Sequence, residues 1–299
     1  MAGYRRKTYK NISNTIWLLI LGNIFLVYEY IGCRVKNRLI EKEEIIITTT
    51  VISHFYNEEY LLPWWLAHHT KLFDHGILIN KGSTDRSVEI CKKFAPHWEV
   101  RDSVNPEFDA YATDHEVMRV EQEIQGWKMI LNTTEFLCVQ DKNQFWKSLN
   151  ELGGRMYWLE GLIMVDDPNY SYPDLNFGLP LMKQRFHGYL PEDWPLWRRG
   201  RFIHNHEHGS YTVGRHLSAH ESMIYPPLAC ILWFGFSPWN DAMRKRKLQI
   251  GPTLSEASKH GGMGTHHIIT PERLEEWYKE LAGGTKDLRF SDAYRYAFV

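Results

Sequence analysis

The sequence has few cysteines and no excess of charge of either sign. Its four cysteines (Cys33, Cys91, Cys138 and Cys230) stand singly, without a CxxC pair. A disulfide framework and a thiolate zinc site both need closely spaced cysteines, so neither is expected. The 35 Lys and Arg residues are balanced by 36 Asp and Glu residues. Binding nucleic acid regardless of its sequence requires a basic surplus that displaces phosphate counterions, so we predict no nucleic-acid partner.

One long uncharged hydrophobic run is present, near the N-terminus. Residues 11–28 carry no charge and stand between Lys10 and Glu29. As a helix they would measure about 27 Å, slightly less than the roughly 30 Å hydrocarbon core of a bilayer. The run lacks a small-residue cleavage site after it, which favours a retained anchor. We predict that residues 1–40 form a hydrophobic helix and stalk that anchor a single-pass membrane protein. The alternative is a helix packed on the surface of a soluble cytoplasmic protein.

Residues 41–299 are predicted to form one α/β domain. The β-branched run at 45–53 favours a buried parallel strand, and helical spacing of apolar residues follows at 57–73. The alternation of strands and helices then continues, which indicates an open, mostly parallel sheet flanked by helices. The further elements expected are strands at 76–80, within 126–139 and at 156–165, helices at 86–95, 109–125 and 271–281, and a mainly irregular stretch at 166–200.

Polar clusters follow three successive predicted strands. They are HFYNEE (54–59), NKGSTD (80–85) and NTTE (132–135). In an open α/β sheet, ligands bind outside the carboxyl ends of the strands. A turn such as KGSTD is weak evidence alone, because these residues also favour ordinary turns. Three clusters at three strand ends are more specific, and they predict a binding site at this edge of the sheet.

The segments HFYNEEYLLPWWLAHH (54–69), ILINKGSTDRS (77–87) and WKMILNTTEFL (127–137) resemble the N-terminal half of family 2-type glycosyltransferases. The resemblance covers about a third of the chain and keeps the order and spacing of the motifs. It implies a GT-A fold, with a Rossmann-related sheet, and a UDP- or GDP-linked sugar donor. It also implies a glycan or lipid-linked acceptor. The substrate-binding residues implied are Asn57, Glu58, Asn80, Gly82, Ser83, Asp85, Asn132 and Thr134.

The chain departs from this family at the positions of two acidic motifs. Asn80 stands where the family has an acid that reads the nucleotide base. Asn132, Thr133 and Thr134 stand where the family has the Asp-x-Asp motif that holds a divalent cation, and Glu135 is the one carboxylate kept there. Mn²⁺ and Mg²⁺ favour anionic oxygen ligands. The resemblance therefore implies a Mn²⁺ or Mg²⁺ cofactor, whereas these replacements indicate weak or absent metal dependence.

Two groups of residues are candidates to take over the role of the missing Asp-x-Asp motif, one by binding a metal and the other by binding phosphate directly. In HNHEHG (204–209), the histidines His204, His206 and His208 alternate, so on a strand they would share one face and could bind a metal, with Glu207 or Glu135 near it. The alternative is a polar strand or loop without metal. The other group is basic, since arginine forks bind phosphate directly. It comprises Arg198, Arg199, Arg201 and Arg215, or the run 243–247 (MRKRK), for which the alternative is a solvated helix face.

An inverting sugar transfer needs a carboxylate that takes the proton of the acceptor hydroxyl. PEDWPLWRRG (191–200) resembles the segment in which the family carries this residue, with Asp193 as the candidate base and Trp194 available to stack on a sugar. Asp166 and Asp167 are the alternatives. The glycine-rich segment 260–267 is either a loop that closes over a bound donor or an ordinary surface loop.

Three functions are consistent with these features. The leading hypothesis is a hexosyltransferase-like glycosyltransferase, acting with little or no metal. A second is a non-catalytic protein that binds nucleotide sugars or glycans on the same fold. A third is a hydrolase that uses a histidine-bound metal.

Overall fold

The computed structural model describes residues 48–105 and 107–299. The predicted N-terminal anchor and stalk (1–40) and the start of the first predicted strand therefore lie outside the described residues. Within the described ranges, no helix is both long and apolar enough to cross a membrane.

The described residues form a mixed α/β fold around one central sheet. The strands are β1 (Thr49–Phe55), β2 (His75–Asn80), β3 (Glu99–Asp102), β4 (Trp127–Ile130), β5 (Glu135–Val139), β6 (Met156–Val165), β7 (His187–Tyr189), β8 (Gly200–His204), β9 (Met223–Ile224), β10 (Ala229–Phe236) and β11 (Lys286–Asp287). The α-helices are α1 (Leu62–His69), α2 (Ser87–Phe94), α3 (Ala110–Gln122), α4 (Lys142–Glu151), α5 (Leu181–Gln184), α6 (Asp241–Leu248), α7 (Glu256–His260) and α8 (Pro271–Ala282).

The first half of the chain builds the parallel part of the sheet. The strand order is β11-β7-β6-β8-β4-β1-β2-β3, and the neighbours β4, β1, β2 and β3 are all parallel. The β-branched and apolar residues of β1, β2 and β4 are buried on both faces, as is usual for parallel strands between helices. The carboxyl ends of β1, β2 and β4 consequently lie at one edge of the sheet, as the polar clusters predicted.

The second half of the chain completes the sheet with a bent strand. The amino-terminal part of β6, Met156–Glu160, pairs antiparallel with β8, whereas its carboxyl-terminal part pairs parallel with β10. β10 also pairs antiparallel with β5, which sets Trp233 opposite Glu135. Residues more than 60 positions apart in sequence are thereby brought to the end of β4.

Helix α1 is fixed to β5 by aromatic and imidazole hydrogen bonds. The indole Nε1 of Trp65 donates to the carbonyl of Glu135 (2.9 Å). His69 Nε2 accepts from the backbone N–H of Leu137 (3.2 Å), so its Nδ1 is the nitrogen that donates to the Trp65 carbonyl (2.9 Å). Burial lowers the pKa of His69 well below its usual value, which keeps this neutral tautomer. Trp65 and His69, the second residues of the WW and HH pairs, therefore hold the helix on the sheet.

Most predicted elements are present, with three corrections. The helix expected at 57–73 is confined to Leu62–His69, because the residues before it form a turn bonded to the loop after β2. The stretch 166–200 is not wholly irregular, since it contains α5 and β7. The strand expected to carry the alternating histidines ends at His204, so His206 and His208 lie in the following loop.

Candidate functional site

The loops after β1 and β2 bind each other. Asn57 Oδ1 accepts from the backbone N–H groups of Thr84 (2.8 Å) and Asp85 (3.3 Å), and the Asn57 N–H donates to Ser83 Oγ (3.0 Å). Asn57 has a φ of 50°, a left-handed conformation that Asn tolerates better than most residues. Asn80 Oδ1 accepts from the Ser83 N–H (2.9 Å). Asn57, Asn80, Ser83 and Asp85 thus shape the edge of the site by bonding to one another.

The turn after β2 also reaches the neighbouring strand. Asn80 Nδ2 donates to Asp102 Oδ1 at the end of β3 (2.9 Å). Gly82 follows with a φ of 75°, which a residue with a Cβ would adopt only with strain. The role that the structure shows for Gly82 is therefore to form this turn.

Glu135 is fully engaged by hydrogen bonds. Its Oε2 accepts from the Asn132 N–H (2.8 Å) and Arg201 Nε (2.8 Å), and its Oε1 accepts from Asn132 Nδ2 (3.0 Å) and Arg201 Nη2 (2.7 Å). Burial acts to raise the pKa of Glu135, but the Arg201 charge and these hydrogen bonds outweigh it, so the pKa lies below its usual value. A carboxylate offers about four acceptor positions, and all are taken. The residues at the end of β4 therefore do not fit a divalent cation.

A guanidinium group stands beside Asn132. Arg215 Nη2 donates to Asn132 Oδ1 (2.9 Å), and Arg215 Nη1 forms an ion pair with Asp114 Oδ1 on α3. Arg215 is 5% exposed and has a φ of 58°. Its Nε is buried and has no hydrogen-bond partner among the described residues. A buried guanidinium, paired with Asp114, thus lies at the end of β4.

The predicted histidine–metal site is not assembled. His204 Nε2 bonds to Glu121 Oε1 (2.8 Å), and His206 stacks on His220 with ring centroids 3.9 Å apart. His208 Nδ1 accepts from the backbone N–H of Ser210 (3.1 Å). Across residues 48–105 and 107–299, no group of three or more His, Cys, Asp or Glu side chains is placed to hold a metal ion. The physical reason is that β8 ends at His204, so the next two histidines do not share its face.

Glu121 connects the loop after β8 to helix α3. Its side chain is fully buried and accepts from His204, from the Tyr211 hydroxyl (3.1 Å) and from the backbone N–H of Gly209 (2.7 Å). Lys128 also donates from β4 to the Glu207 carbonyl (3.2 Å). We call the segment 205–216, which contains Arg215, the arginine loop. Buried polar contacts hold this loop in place.

A cavity of about 340 Å³ opens at the carboxyl ends of β1 and β4. Five of the predicted substrate-binding residues line it, and five do not. The lining includes Glu58, Asn132, Thr134, Trp194 and Arg215, whereas Asn57, Asn80, Gly82, Ser83 and Asp85 lie outside it.

The carboxylates predicted as the catalytic base also lie outside this cavity. Asp193 does not line it and forms an ion pair with Lys286 (2.8 Å). Asp166 is buried and accepts from Ser237 Oγ (2.5 Å) and from the Trp239 N–H (2.8 Å). Asp167 is likewise absent from the lining. The carboxylates that do line the cavity are Glu58 and Asp114.

The cavity carries more positive than negative charge. Glu58 accepts from Arg246 Nε and Nη2 (2.6 Å each), and Asp114 pairs with Arg215. The other cationic residues lining the cavity are Lys81, Arg199, Arg201 and Lys247. Arg201 is neutralised by Glu135. Among the described residues, Lys81, Arg199 and Lys247 have no carboxylate partner within ion-pair distance, so no ion pair neutralises these three side chains.

Two of these three cations lie on aromatic rings. The Arg199 guanidinium carbon is 4.5 Å from the centre of the Trp233 ring, and Lys247 Nζ is 3.7 Å from that of Phe236. Burial, assisted by the charges of Arg246 and Arg199, lowers the pKa of Lys247 to about 7. Burial likewise lowers the pKa of Arg199 to about 10. An anion entering the cavity would therefore meet cations that lack a counter-charge.

The basic run at 243–247 and the glycine-rich segment both contribute residues to the lining of the cavity. Arg246 and Lys247 face the cavity, so the run is not simply a solvated helix face. Gly264, His266 and His267 of the glycine-rich segment also line the cavity. Burial lowers the pKa values of both histidines, for His267 to about 3, so these rings are neutral near pH 7.

Several lining residues were not singled out from the sequence. Lys81 follows Asn80 within a cluster that was recognised, so a local signal existed. His54 begins another of the clusters; its Nδ1 is buried and has no partner among the described residues. Asp114, Trp233 and Trp277 come from α3, β10 and α8. Nothing in their local sequence distinguishes these three from ordinary helix or strand residues.

Comparisons with known proteins give structural similarity at low identity. No family model matches the chain, and no curated protein matches it. Similar solved structures include S. aureus TarS 1–349 in complex with UDP-GlcNAc (TM-score 0.29, 14% identity, 43% of this chain and 37% of that one). TarS 1–349 alone matches with a TM-score of 0.37 at 13% identity, over 77% of this chain and 78% of that one.

A Mycobacterium tuberculosis glucosyl-3-phosphoglycerate synthase in complex with Mn²⁺, UDP and glucosyl-3-phosphoglycerate also matches. Its TM-score is 0.29 at 16% identity, over 39% of this chain and 44% of that one. The matched region thus spans less than half of the TarS–UDP-GlcNAc chain and of this synthase. At such TM-scores the likeness carries no conclusion about activity, so function rests on the residues of the cavity.

Proposed function

We propose that this chain is a glycosyltransferase that binds a UDP- or GDP-linked sugar in the cavity without a bridging metal ion. The sugar is transferred to a glycan or lipid-linked acceptor. The observation that carries the proposal is the Arg215 guanidinium, 2.9 Å from Asn132 Oδ1 at the end of β4. In the family that residues 54–137 resemble, the donor diphosphate is held at this strand end by a metal.

The charge of the cavity suits a departing diphosphate. When the bond to the sugar breaks, negative charge accumulates on the phosphate oxygens, and preorganised donors stabilise it. Arg199, Lys247 and Lys81 supply positive charge that no described carboxylate neutralises. Arginine also binds phosphate through two parallel hydrogen bonds. Protein cations thus take the part that a divalent ion plays in the related family.

We expect nucleotide-sugar binding to persist in excess EDTA. A thermal-shift panel of UDP-glucose, UDP-N-acetylglucosamine and GDP-mannose should contain at least one donor that raises the Tm, because ligand binding stabilises the folded state by mass action. The shift should be equal with and without EDTA. A shift that EDTA abolishes and Mn²⁺ restores would contradict the metal-free proposal, and the absence of any shift would contradict donor binding by these nucleotides.

Donor affinity should fall as the pH rises through 7. Burial lowers the pKa of Lys247 to about 7, so the side chain is charged at pH 6 and mainly neutral at pH 8. Binding of the anionic donor favours the charged form, and the Kd should rise by up to about tenfold per pH unit above 7. Isothermal titration with the best donor from pH 6 to 8.5 measures this change. In Lys247→Met the trend should disappear, and an unchanged trend would assign it to another group.

A non-catalytic nucleotide-sugar-binding protein is the second candidate. The observation that favours it is that Glu58 and Asp114, the carboxylates lining the cavity, are both held in ion pairs. Donor binding without sugar release or transfer would support this alternative. The histidines that a metal-dependent hydrolase would need as ligands do not come together, because each is engaged with a different partner. The membrane anchor at 1–40 stays a prediction.

A further inference from the structure

A second cavity adjoins the first on the outer side of α3. It measures about 480 Å³ and lies between α3 and the residues 208–213 of the arginine loop. Asp114 and Val213 line both cavities, so the two cavities meet at these residues. Its lining also includes the polar residues Tyr111, His115, Gln122, Ser210 and Thr212.

Asp114 is a carboxylate placed at the junction of the two cavities. Its Oδ1 pairs with Arg215, and its Oδ2 accepts from the backbone N–H of Gly214 (2.7 Å). Each oxygen therefore keeps one acceptor position for a further hydrogen bond. Its side chain is 7% exposed. Glu58, the other carboxylate lining the first cavity, does not reach the second.

The Arg215 guanidinium joins this carboxylate to the end of β4. One of its terminal nitrogens contacts Asp114 and the other contacts Asn132. A diphosphate bound near Arg215 would accordingly lie beside Asp114. A sugar carried by that diphosphate would then be within reach of a group bound in the second cavity.

We propose that Asp114 is the catalytic base and that the second cavity binds the acceptor glycan; this inference rests on the proposed glycosyltransferase function. Asp114 accepts the proton of an acceptor hydroxyl as its oxygen bonds to the anomeric carbon of the donor sugar. The bond from that carbon to the diphosphate breaks, and its electron pair leaves with the nucleoside diphosphate. The carboxylic acid formed on Asp114 then releases its proton to solvent.

The surface of the second cavity suits a hydroxyl-rich ligand. The Tyr111 ring is 54% exposed and offers an apolar face with a polar tip. Gln122, Ser210 and Thr212 add uncharged donors and acceptors of hydrogen bonds. Specific saccharide binding needs such convergent polar groups around an aromatic surface. The acceptor class inferred is thus a glycan.

The decisive variant is Asp114→Asn, which preserves the size of the side chain. Two activities are measured with UDP-glucose, UDP-N-acetylglucosamine and GDP-mannose as donors. One is hydrolysis of the donor, which releases the free sugar, and the other is transfer of the sugar to p-nitrophenyl glycosides. We expect kcat to fall by about 10²–10⁴-fold, the usual contribution of a general base, while the donor still raises the Tm. Asp193→Asn is the matched control and should retain activity.

Two variants of exposed residues that line the second cavity, called the groove variants, test the acceptor site even if Asp114→Asn does not fold. Tyr111→Ala and His115→Ala should raise the KM for the glycoside acceptor severalfold. Full kcat in Asp114→Asn, or unaltered acceptor KM in both groove variants, would overturn the inference. If the wild type binds a donor but neither hydrolyses it nor transfers its sugar, the inference is also overturned, whereas the proposed donor site stands. If no donor binds, the proposed function itself fails.

Discussion

Replacing Arg201 by methionine should reduce the free energy of unfolding by about 3–5 kcal/mol, the usual cost of removing one partner from a buried ion pair. The side chains of Arg201 and Glu135 are 3% and 0% exposed. Methionine fills much of the space of the arginine stem but leaves the carboxylate without its counter-charge. The loss should be measurable by urea denaturation at pH 7 with an unchanged m-value.

Two further variants identify the cause of that loss. Arg86→Met removes an exposed partner of Glu89 and should leave the unfolding midpoint unchanged within error. The double variant Glu135→Leu and Arg201→Met removes both buried charges and should recover much of the stability, because the desolvation cost also disappears. A single Arg201→Met variant as stable as the wild type would show that Glu135 is accommodated by Asn132 alone.

Arg199→Met should change stability and donor affinity in opposite directions. Arg199 is half-buried and lacks an ion-pair partner among the described residues, so its removal relieves a desolvation cost and should raise the Tm. Donor binding should weaken by about 10- to 150-fold, since a hydrogen bond to a charged group contributes about 1.5–3 kcal/mol. Denaturation and isothermal titration on the same preparation measure both effects.

The neighbouring arginine provides the matched control. Arg198 is 57% exposed, pairs with Glu160 and does not line the cavity. Arg198→Met should therefore leave donor affinity unchanged. Equal weakening in both variants would point to a general effect of net charge, and no weakening in Arg199→Met would exclude this arginine from the anion site.

The sequence predicted the position of the site better than the residues that line it. Strand periodicity and polar clusters located the ends of β1, β2 and β4, because these signals are local. Whether a residue of a cluster faces the cavity depends on contacts between loops. Asn57 turns away to bond the loop after β2, whereas its neighbour Glu58 faces the cavity and pairs with Arg246, 188 residues later.

Contacts between residues far apart in the sequence could not be predicted from local sequence patterns. Glu135 was predicted as a metal ligand, but its partner is Arg201, 66 residues away on β8. Arg215 was recognised as a candidate phosphate ligand, but its contact with Asp114 spans 101 residues. Asp114 itself looks like any polar residue of a helix. These pairs are set by how β8 and the arginine loop pack on the sheet and α3, which periodicity does not encode.

The hydrogen bonds between Glu121 and the arginine loop affect how tightly the cavity can bind an anion. The Gly209 N–H and the Tyr211 hydroxyl of the loop both donate to this carboxylate, which also bonds His204 of β8, and these contacts form during folding, before any ligand arrives. Conformational entropy that a mobile loop would lose on binding is thereby already lost in the free protein. Association then requires little rearrangement, so the arginine can act as a preorganised electrostatic element, much as a bound metal ion does.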